Sequence, residues 1–331
     1  IPFGLHFTST MSVAERQQHE SEDLASDYDL MDGIEADWVD EEELSALEVI
    51  RQQPRSALVA LFAALGGFLF GLDVGYIGPV YEMKSFLEDI CDGETLGAAT
   101  KGLITGIFSI GCIVTSVPMV SGLFMDKLGR KWTIMSGAWV YSAGAIVQCL
   151  ATNVHHLYLG RFASGLGIGM LSTTVPVYQT EVAPKETRGA LGTLYQMGIT
   201  AGILSAGLVD MWLADAAEGW RWAGSPRVAV SLFLAVGMLS MPESPRHLAR
   251  KGDNDRTMHT LQWLRRGARE DYVEIEFDCV IEEVEAEARM GEPAWGEFFS
   301  GFMLRVLLVG IAAQMLQQLC GMNAFMYYGP A

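Results

Sequence analysis

The sequence predicts an all-α polytopic membrane protein, and three observations point to this fold class. Half of the 331 residues are hydrophobic, and the mean hydropathy is positive. Seven stretches carry at most one charged residue each and are long enough to cross a bilayer, which takes roughly 20 apolar residues in a helix. Basic residues cluster in the loops on one side of these stretches. A soluble protein with buried helices is the alternative, but it rarely has so many charge-poor stretches.

Most of the acidic charge precedes the first of these stretches. Residues 1–50 hold fourteen acidic side chains and one basic side chain, Arg16, so they contribute −13 to the net charge of −18. Such a composition predicts a disordered, acidic, cytosolic tail, which we place at residues 1–54. The tail lacks a basic start followed by an apolar core, so it is not a signal peptide.

Seven spans follow the tail. We predict them at 57–80, 102–125, 132–153, 157–180, 189–209, 222–241 and 306–331. The first and fourth spans contain one charge each, Asp73 and Arg161, and a charge at mid-bilayer costs roughly 2.5–3.5 kcal/mol on insertion scales. The sixth contains Ser225-Pro226-Arg227, so we expect either that its helix begins late or that Arg227 extends outward to the interface.

The basic residues set the orientation. They are concentrated before the first span, between the second and third, between the fourth and fifth, and after the sixth, which places the N-terminus in the cytosol. Residues 243–302 then form a cytosolic linker. Apolar residues recur there at helical spacing and predict an amphipathic helix on the inner face of the bundle, a solvated loop being the alternative. These residues are Phe277, Val280, Ile281, Val284 and Ala288.

Several motifs stand at the ends of the spans. They are GLFMDKLGRK from Gly122, GRFASGLGIGM from Gly160, EVAPKETRG from Glu181, PESPRHLARKG from Pro242 and QQLCGMNAFMYYGP from Gln317. Together they resemble the sugar porter family of the major facilitator superfamily. The resemblance implies the major facilitator fold, with twelve spans in two six-span halves around a central cavity.

This chain corresponds to roughly the N-terminal 60% of such a porter. It would hold the N-terminal six-helix bundle at 55–242, the cytosolic helical linker at 243–302 and the seventh span at 303–331. We therefore expect a fragment whose C-terminal six-span half is missing. A genuine seven-span protein is the alternative.

The seventh span carries the residues of the expected sugar site. At 100° per residue, Gln314, Gln317, Gln318, Gly321, Phe325 and Tyr328 form one stripe, which should face protein or a wet cavity because unpaired amides are costly in lipid. Amides both donate to and accept from hydroxyls. By resemblance, a sugar is bound by Gln196, Gln317, Gln318, Asn323 and Tyr327. Bonding between helices is the alternative role of these amides.

Proton coupling is expected at the two intramembrane charges. The resemblance makes Asp73 and Arg161 partners, and family members that are coupled to protons carry an acid at the position of Asp73. Protonation of Asp73 would release Arg161 and bias the exchange between inward and outward states. A static ion pair is the alternative.

The resemblance also implies an ionic network at the cytosolic surface that closes the inner side of the carrier. Its residues here are Asp126, Arg130, Glu181, Arg188, Glu243 and Arg246. Gly129 makes the tight turn of the same motif. Partners from the second half lie beyond this chain, so we expect a partial network. Loosely solvated charges are the alternative.

We therefore predict a transmembrane transporter of a hexose-like sugar, working by proton-coupled symport and alternating access. Facilitative uniport, a transporter-like sugar sensor and a non-transporting fragment stay open. We expect a multi-pass protein of the plasma membrane, with a small sugar and the lipid bilayer as its partners.

Other functions are not indicated. No catalytic constellation occurs outside the spans, so we expect no enzyme, and no cofactor besides the proton as coupling ion. The five cysteines are scattered without metal-ligand spacing. The glycines of 165–169 lie in an apolar span, where they favour helix packing over nucleotide binding. The cytosolic bases are matched by acids, so nucleic acid is not expected.

Overall fold

The structure is a computed structural model, and it describes residues 46–91, 93–290, 296 and 301–321. Within these ranges the regular elements are helices, apart from one isolated bridge between Arg266 and Ala268. The first eight helices are α1 (Ala46–Gln52), α2 (Pro54–Ala63), α3 (Leu65–Val80), α4 (Lys84–Cys91), α5 (Ala98–Ser116), α6 (Pro118–Leu128), α7 (Arg130–Cys149) and α8 (Val154–Val182). The others are α9 (Arg188–Gly192), α10 (Leu194–Leu213), α11 (Gly219–Gly237), α12 (Pro245–Arg250), α13 (Asn254–Leu264), α14 (Glu270–Met290) and α15 (Gly301–Leu319).

Each predicted span is helical over most of the length that the structure describes. The first span is the continuous run of α2 and α3, because the backbone N–H of Phe68 still donates to the carbonyl of Ala64 across the junction. The second span is divided at Val117 into α5 and α6. Val117 has an extended ψ of 129° because it precedes Pro118, which disfavours the helical conformation of the residue before it.

Four helices of the described residues are long and apolar enough, by length and composition, to cross a membrane. They are Pro54–Val80, Ala98–Ser116, Gly219–Ser240 and Gly301–Leu319. The remaining predicted spans include α7, α8 and α10, which have 20, 29 and 20 residues. These three lengths also suffice for a bilayer.

Glycines bring the helices of the bundle close together. A Cβ atom added at Gly71 of α3 would stand 2.0 Å from the carbonyl oxygen of Ile199 in α10. A Cβ at Gly165 of α8 would lie 2.3 Å from the carbonyl oxygen of Phe108 in α5, and one at Gly167 would lie 2.6 Å from that of Gly137 in α7. The predicted packing role of the 165–169 glycines is therefore confirmed.

The predicted tail boundary at residue 54 is wrong. The helix α1 begins at Ala46, and Val49 within it is buried. Ile50 packs against Ala60, Ala183 and Leu191 at one end of the bundle. These two apolar side chains explain why the last residues of the acidic tail are helical. The rest of the predicted tail lies outside the described residues.

The linker forms three helices, α12, α13 and α14, that pack on one another at the end of the bundle that we call the linker side. The predicted amphipathic helix is present as α14, with Val280, Ile281 and Val284 half-buried. Arg265 fastens the linker to the bundle. Its Nη1 donates to Ser56 Oγ at 2.7 Å and to the Val182 carbonyl at 2.8 Å.

Candidate functional site

A carboxylate and two guanidinium groups meet in the centre of the bundle. Asp73 lies on α3, Arg161 on α8 and Arg227 on α11, and each of these residues is at most 1% exposed. Nη1 of Arg161 donates to Oδ2 of Asp73 at 2.5 Å, and Nη1 of Arg227 donates to Oδ1 at 2.8 Å. One aspartate therefore ties together three helices that are distant in the sequence. We call these three residues the ion cluster.

Polar neighbours add further hydrogen bonds to the ion cluster. The hydroxyl of Tyr141 donates to Oδ1 of Asp73 at 3.3 Å. Oε1 of Gln148 accepts from Nη1 of Arg227 at 3.2 Å, and Nε2 of Gln148 donates to Ser164 Oγ at 3.0 Å. Both polar ends of the Gln148 amide are thus occupied, and its carbonyl is directed at the guanidinium. Such hydrogen bonds are what a buried ion pair needs to offset its desolvation.

Aromatic rings cover the two guanidinium groups. The guanidinium carbon of Arg227 lies 3.6 Å from the ring centroid of Tyr76, and that of Arg161 lies 4.8 Å from the centroid of Phe108. A cation over a ring face is attracted by the ring's quadrupole, and the attraction is stronger where water is excluded. The rings therefore help to hold two positive charges beside a single carboxylate.

Both expectations for the sixth span were wrong. The helix α11 begins at Gly219, ahead of Ser225-Pro226, and Arg227 extends inward rather than outward. The proline is tolerated because the hydroxyl of Ser225 donates to the Trp222 carbonyl at 2.8 Å, which is the carbonyl that loses its helical partner at Pro226. The signal that could have identified Arg227 was the one used for Asp73, a lone charge within an apolar span.

A second buried acid was missed at the end of the fifth span. The prediction ended at residue 209, whereas α10 continues to Leu213 and includes Asp210, which is 2% exposed. Neither carboxylate oxygen of Asp210 has a hydrogen-bond partner in the part of the chain that the structure describes. An acid next to a charge-free stretch looks like an interfacial residue in the sequence, so its burial could not be read there.

Charge is unbalanced in the ion cluster. It holds one carboxylate and two guanidinium groups, and both guanidinium groups donate to the same carboxylate. Since an uncompensated buried charge is strongly destabilising, the packing of α3, α8 and α11 depends on Asp73.

The predicted sugar residues lie on two helices. Gln196 is exposed on α10, and Gln317 and Gln318 are exposed on α15, of which no residue is buried. The described contacts do not draw α15 into the buried core of the bundle. Asn323 and Tyr327 lie outside the described residues. The geometry of the predicted sugar site is therefore not assembled within the described part of the chain.

Part of the predicted gate network is assembled on the linker side. Arg130 binds Glu181 through two hydrogen bonds of 2.9 Å, from Nε and from Nη2. Asp126 lies 3.8 Å from Arg130 and 3.7 Å from Arg250. Gly129, between α6 and α7, has a φ of 97°, as expected for the tight turn of this motif.

Two further residues support this network. Oε1 of Glu243 accepts from the backbone N–H groups of Lys131 and Ser244, each at 3.0 Å. Burial raises the pKa of Glu243, and these backbone donors oppose the rise. Nδ1 of His247 lies 3.1 Å from Nη1 of Arg130. An arginine can only donate, so Nδ1 of His247 is the acceptor and the imidazole is neutral.

The other two gate residues turn toward the linker. Arg246 pairs with Glu287 and lies 3.8 Å from Glu283, both on α14. Arg188 is exposed and, together with Glu181 and Arg246, lines a cavity of about 90 Å³ between the bundle and the linker. The predicted gate residues therefore do not form a single network. Arg130 and Glu181 pair with each other, whereas Arg246 contacts α14, a partner that the sequence did not indicate.

Comparisons with known proteins agree with this architecture. The family model described as "Sugar (and other) transporter" matches residues 59–331. The glucose transporter GlcP of Staphylococcus epidermidis is 36% identical over 271 residues, which cover 82% of this chain and 57% of that protein. The high-affinity hexose transporter HXT6 of Saccharomyces cerevisiae is 33% identical over an alignment of 335 positions, which covers 96% of this chain and 58% of that protein. The chain thus spans somewhat more than half the length of these relatives.

Solved structures share the fold. The proton:xylose symporter XylE bound to 6-bromo-6-deoxy-D-glucose has a TM-score of 0.70 at 23% identity, covering 82% of this chain and 61% of that one. A partially occluded inward open conformation of XylE from E. coli has a TM-score of 0.69 at 22% identity, covering 82% and 65%. The predicted all-α arrangement is confirmed by this likeness.

Proposed function

This chain belongs to the sugar transporter family, the sugar porters of the major facilitator superfamily, and from that premise we propose that it forms the N-terminal part of a membrane carrier for a small sugar. The proposed mechanism is proton-coupled symport by alternating access. GlcP and HXT6 are named as transporters of glucose and of hexose, which supports a hexose-like substrate. The relatives are transporters, and we infer that this protein is likewise not an enzyme and uses no cofactor other than the coupling proton.

The observation that carries the proposal is the buried carboxylate of Asp73. It is 0% exposed, and its partners Arg161 and Arg227 come from two other helices. A charge at this depth is expensive and is expected to serve a function. When Asp73 takes up a proton, the two guanidinium groups lose their counter-ion and the contact between α3, α8 and α11 weakens. The helices can then adopt the packing of the opposite-facing state.

The sugar would lie between the two halves of the complete carrier. We propose that Gln196 on α10 and Gln317 and Gln318 on α15 hydrogen-bond sugar hydroxyls, together with Asn323 and Tyr327. The exposure of the first three supports this role, because an amide that receives a ligand has to be accessible. Asp126, Arg130, Glu181, Arg188, Glu243 and Arg246 would close the inner side.

The membrane orientation is also a proposal. Lys127 and Lys251 meet on the linker side, where Nζ of Lys251 donates to the Lys127 carbonyl at 3.4 Å. Lys131 and Arg130 lie on the same side. Since cytosolic surfaces of membrane proteins are rich in basic residues, the linker side and the N-terminus would face the cytosol, and we propose the plasma membrane as the location.

Uptake of labelled glucose by the complete transporter tests the proposal. In transport-deficient cells, the wild-type protein should accumulate sugar against its gradient when the outside is acidic. Asp73→Asn should exchange sugar across the membrane without accumulating it, because the amide cannot carry a proton. Asp215→Asn is the matched control, since Asp215 is exposed beyond the end of α10. Accumulation by Asp73→Asn equal to that of the control would refute the role of Asp73.

Facilitative uniport is the second candidate, and one observation favours it. Two guanidinium groups and a hydroxyl all donate to Asp73, and each of these bonds stabilises its charged form. A carboxylate held in this way could remain ionised throughout the cycle. Wild-type uptake that is independent of the proton gradient, with no proton entering alongside sugar, would establish uniport.

A further inference from the structure

Asp210 is a buried carboxyl group that the proposed mechanism does not use. The buried residues of α10 are Gly202, Ala206 and Asp210, so they recur every four residues and form one stripe along the helix. This stripe faces α3, because a Cβ atom at Gly71 would lie 3.0 Å from Gly202 Cα and one at Gly75 would lie 2.9 Å from Ala206 Cβ. Asp210 is the next member of the stripe, and it lies on the side of the bundle opposite the linker.

The position of Asp210 along the bundle axis can be compared with that of Asp73 in the ion cluster. Gly75 is level with Ala206, and Asp210 is four residues further along α10, while Asp73 is two residues back along α3. At about 1.5 Å per residue, Asp210 therefore lies roughly 9 Å from Asp73 along the bundle axis. Tyr76 follows Asp73 on α3 toward the level of Asp210, and its ring lies against the guanidinium of Arg227.

Arg227 binds Asp73 and acts on Asp210 through its charge. Its Nη1 donates to Asp73, and Asp210 lies within the electrostatic range of its guanidinium group. Nε and Nη2 of Arg227 have no hydrogen-bond acceptor among the described residues at the distances of an ordinary N–H···O bond. The guanidinium thus has unused donors and an unused carboxyl group nearby. Tyr76 lies against this guanidinium from α3, and Cys149 lies beside it from α7.

Charge balance indicates how the two acids relate. Asp73, Arg161 and Arg227 carry a net charge of +1. An ionised carboxylate at the position of Asp210 would have no hydrogen bond, which costs several kcal/mol in a site shielded from water. The neutral acid avoids that cost for as long as Arg227 remains bound to Asp73.

We propose that Asp210 is a second proton-binding site of the carrier and that Arg227 couples it to Asp73. The cycle begins with an ionised Asp73, which Arg161 and Arg227 bind, and with a proton on Asp210. The O–H bond of Asp210 breaks, and a water molecule that enters between the two carboxyl groups relays the proton to a carboxylate oxygen of Asp73. Arg227 then moves from Asp73 to the newly ionised Asp210. The four side chains carry +1 before and after this step, so no net charge moves within the cluster. Asp210 then takes a new proton from the outer side.

This inference rests on the proposed function, and it deepens it by giving the proton an entry site. Asp210 would be the first acid reached from the outside, and Asp73 the second. Arg227 would prevent both carboxylates from being ionised and unpaired at once.

Infrared difference spectroscopy and transport assays on the complete transporter in lipid vesicles test the proposal together. A pH step should reveal the C=O stretching band of a buried carboxylic acid in the wild type and in Asp215→Asn. The band should lose intensity in Asp210→Asn, because only Asp73 can then contribute to it. Proton-driven sugar uptake by Asp210→Asn should fall by at least about tenfold, while sugar exchange without net proton flux should be unchanged. Asp210→Glu should restore both the band and the driven uptake, which a merely structural role would not require.

The outcomes separate the two proposals. If the wild type couples sugar to protons while Asp210→Asn keeps both the full intensity of the band and the driven uptake, the second site is refuted and symport stands. If the wild type takes up no protons with sugar, symport fails and the relay through Asp210 fails with it. If Asp210→Asn loses exchange as well as driven uptake and Asp210→Glu does not rescue it, Asp210 has a structural role and the proposal is overturned.

Discussion

Arg227 and Asp73 form a direct ion pair across 154 residues of sequence, with Nη1 of the arginine 2.8 Å from Oδ1 of the aspartate. The pair joins α11 to α3, while Arg161 joins α8 to the other oxygen of the same carboxylate. Asp73 is therefore the common acceptor, and either arginine can be removed without leaving it unpaired. Substitutions of Asp73 and of Arg227 should therefore differ in how much they destabilise the bundle.

Removal of Asp73 should destabilise the bundle more than removal of Arg227. Asp73→Asn leaves two buried cations without a counter-ion, and breaking a buried pair in this way typically costs about 3–5 kcal/mol. Arg227→Gln leaves the neutral pair of Asp73 and Arg161, so it should cost only the lost hydrogen bonds, about 1.5–3 kcal/mol. Melting temperatures of the purified variants in one detergent give the ranking.

Arg221→Gln is the control for this comparison. Arg221 lies on the same helix as Arg227, but it is half-exposed and pairs with Asp89 at 3.3 Å near the surface. Exposed pairs contribute at most about 1 kcal/mol. An Arg227→Gln variant that melts as low as Asp73→Asn would contradict the shared-acceptor interpretation.

The helices of this protein could be predicted from sequence, and the ion cluster only in part. A charge-free stretch of about 20 residues has few alternatives to a helix in a membrane, because its backbone must bond within itself. Asp73 and Arg161 were recognisable as lone charges in such stretches. Arg227 has the same pattern, but the neighbouring Pro226 favoured a late helix start. The hydroxyl of Ser225 that makes this proline tolerable has its effect only in three dimensions.

The burial of Arg265 and Asp210 by distant segments could not be predicted. Arg265 lies in a charged stretch of the linker, yet it is 1% exposed because Ser56, Val182 and Glu276 surround it. Asp210 is likewise buried by helices that follow or precede it in the chain. Burial of a polar residue depends on a partner from elsewhere in the sequence, and periodicity within one helix carries no information on that partner.

Alanine at Gly71 should separate α3 from α10. The new Cβ atom would stand 2.0 Å from the Ile199 carbonyl oxygen, which is backbone and cannot move aside alone. Overpacking of this kind typically costs about 1–3 kcal/mol. Thermal melting of Gly71→Ala should show this loss.

Gly106 of α5 provides the matched control for Gly71. A Cβ atom there meets nothing within 4 Å, so Gly106→Ala should be neutral or should stabilise the helix by up to about 1 kcal/mol. Equal melting temperatures for the two alanine variants would show that the crossing of α3 and α10 is not limited by backbone contact.

Arg265→Gln should loosen the linker from the bundle. Arg265 binds Glu276 of α14 through two hydrogen bonds of 2.7 Å and 2.5 Å while its Nη1 reaches α2 and the end of α8. Glutamine cannot span these partners, so the linker helices should become accessible to protease. Limited proteolysis of the purified protein should cleave Arg265→Gln within the linker several-fold faster than wild type, because local opening sets the rate.

The neighbouring Arg266 makes the control for proteolysis, since it is exposed. Arg266→Gln also removes one positive charge from the same loop, so it reproduces the change in charge without the change in contacts. Cleavage of both variants at the same increased rate would assign the effect to charge and reject the anchoring role of Arg265.

His247 should make the linker side sensitive to acid. Burial, followed by the positive charges of Arg130 and Lys251, lowers the pKa of His247 to about 4, below the 6.5 of an unfolded histidine. The folded protein therefore binds this proton less readily than the unfolded chain. The stability that comes from neutral His247 is complete above pH 6.5, and it is lost as the pH falls from 6.5 toward 4.

Replacement of His247 by glutamine should reduce the loss of stability at acidic pH. The Gln side chain carries a carbonyl that can accept from Arg130 and does not titrate, so the melting temperature of His247→Gln should fall less than that of wild type between pH 6.5 and 4. His259→Gln, which alters an exposed histidine of α13, should follow the wild-type curve. Parallel curves for wild type and His247→Gln would mean that His247 binds its proton equally well in the folded and unfolded chains, and that Arg130 does not suppress its charge.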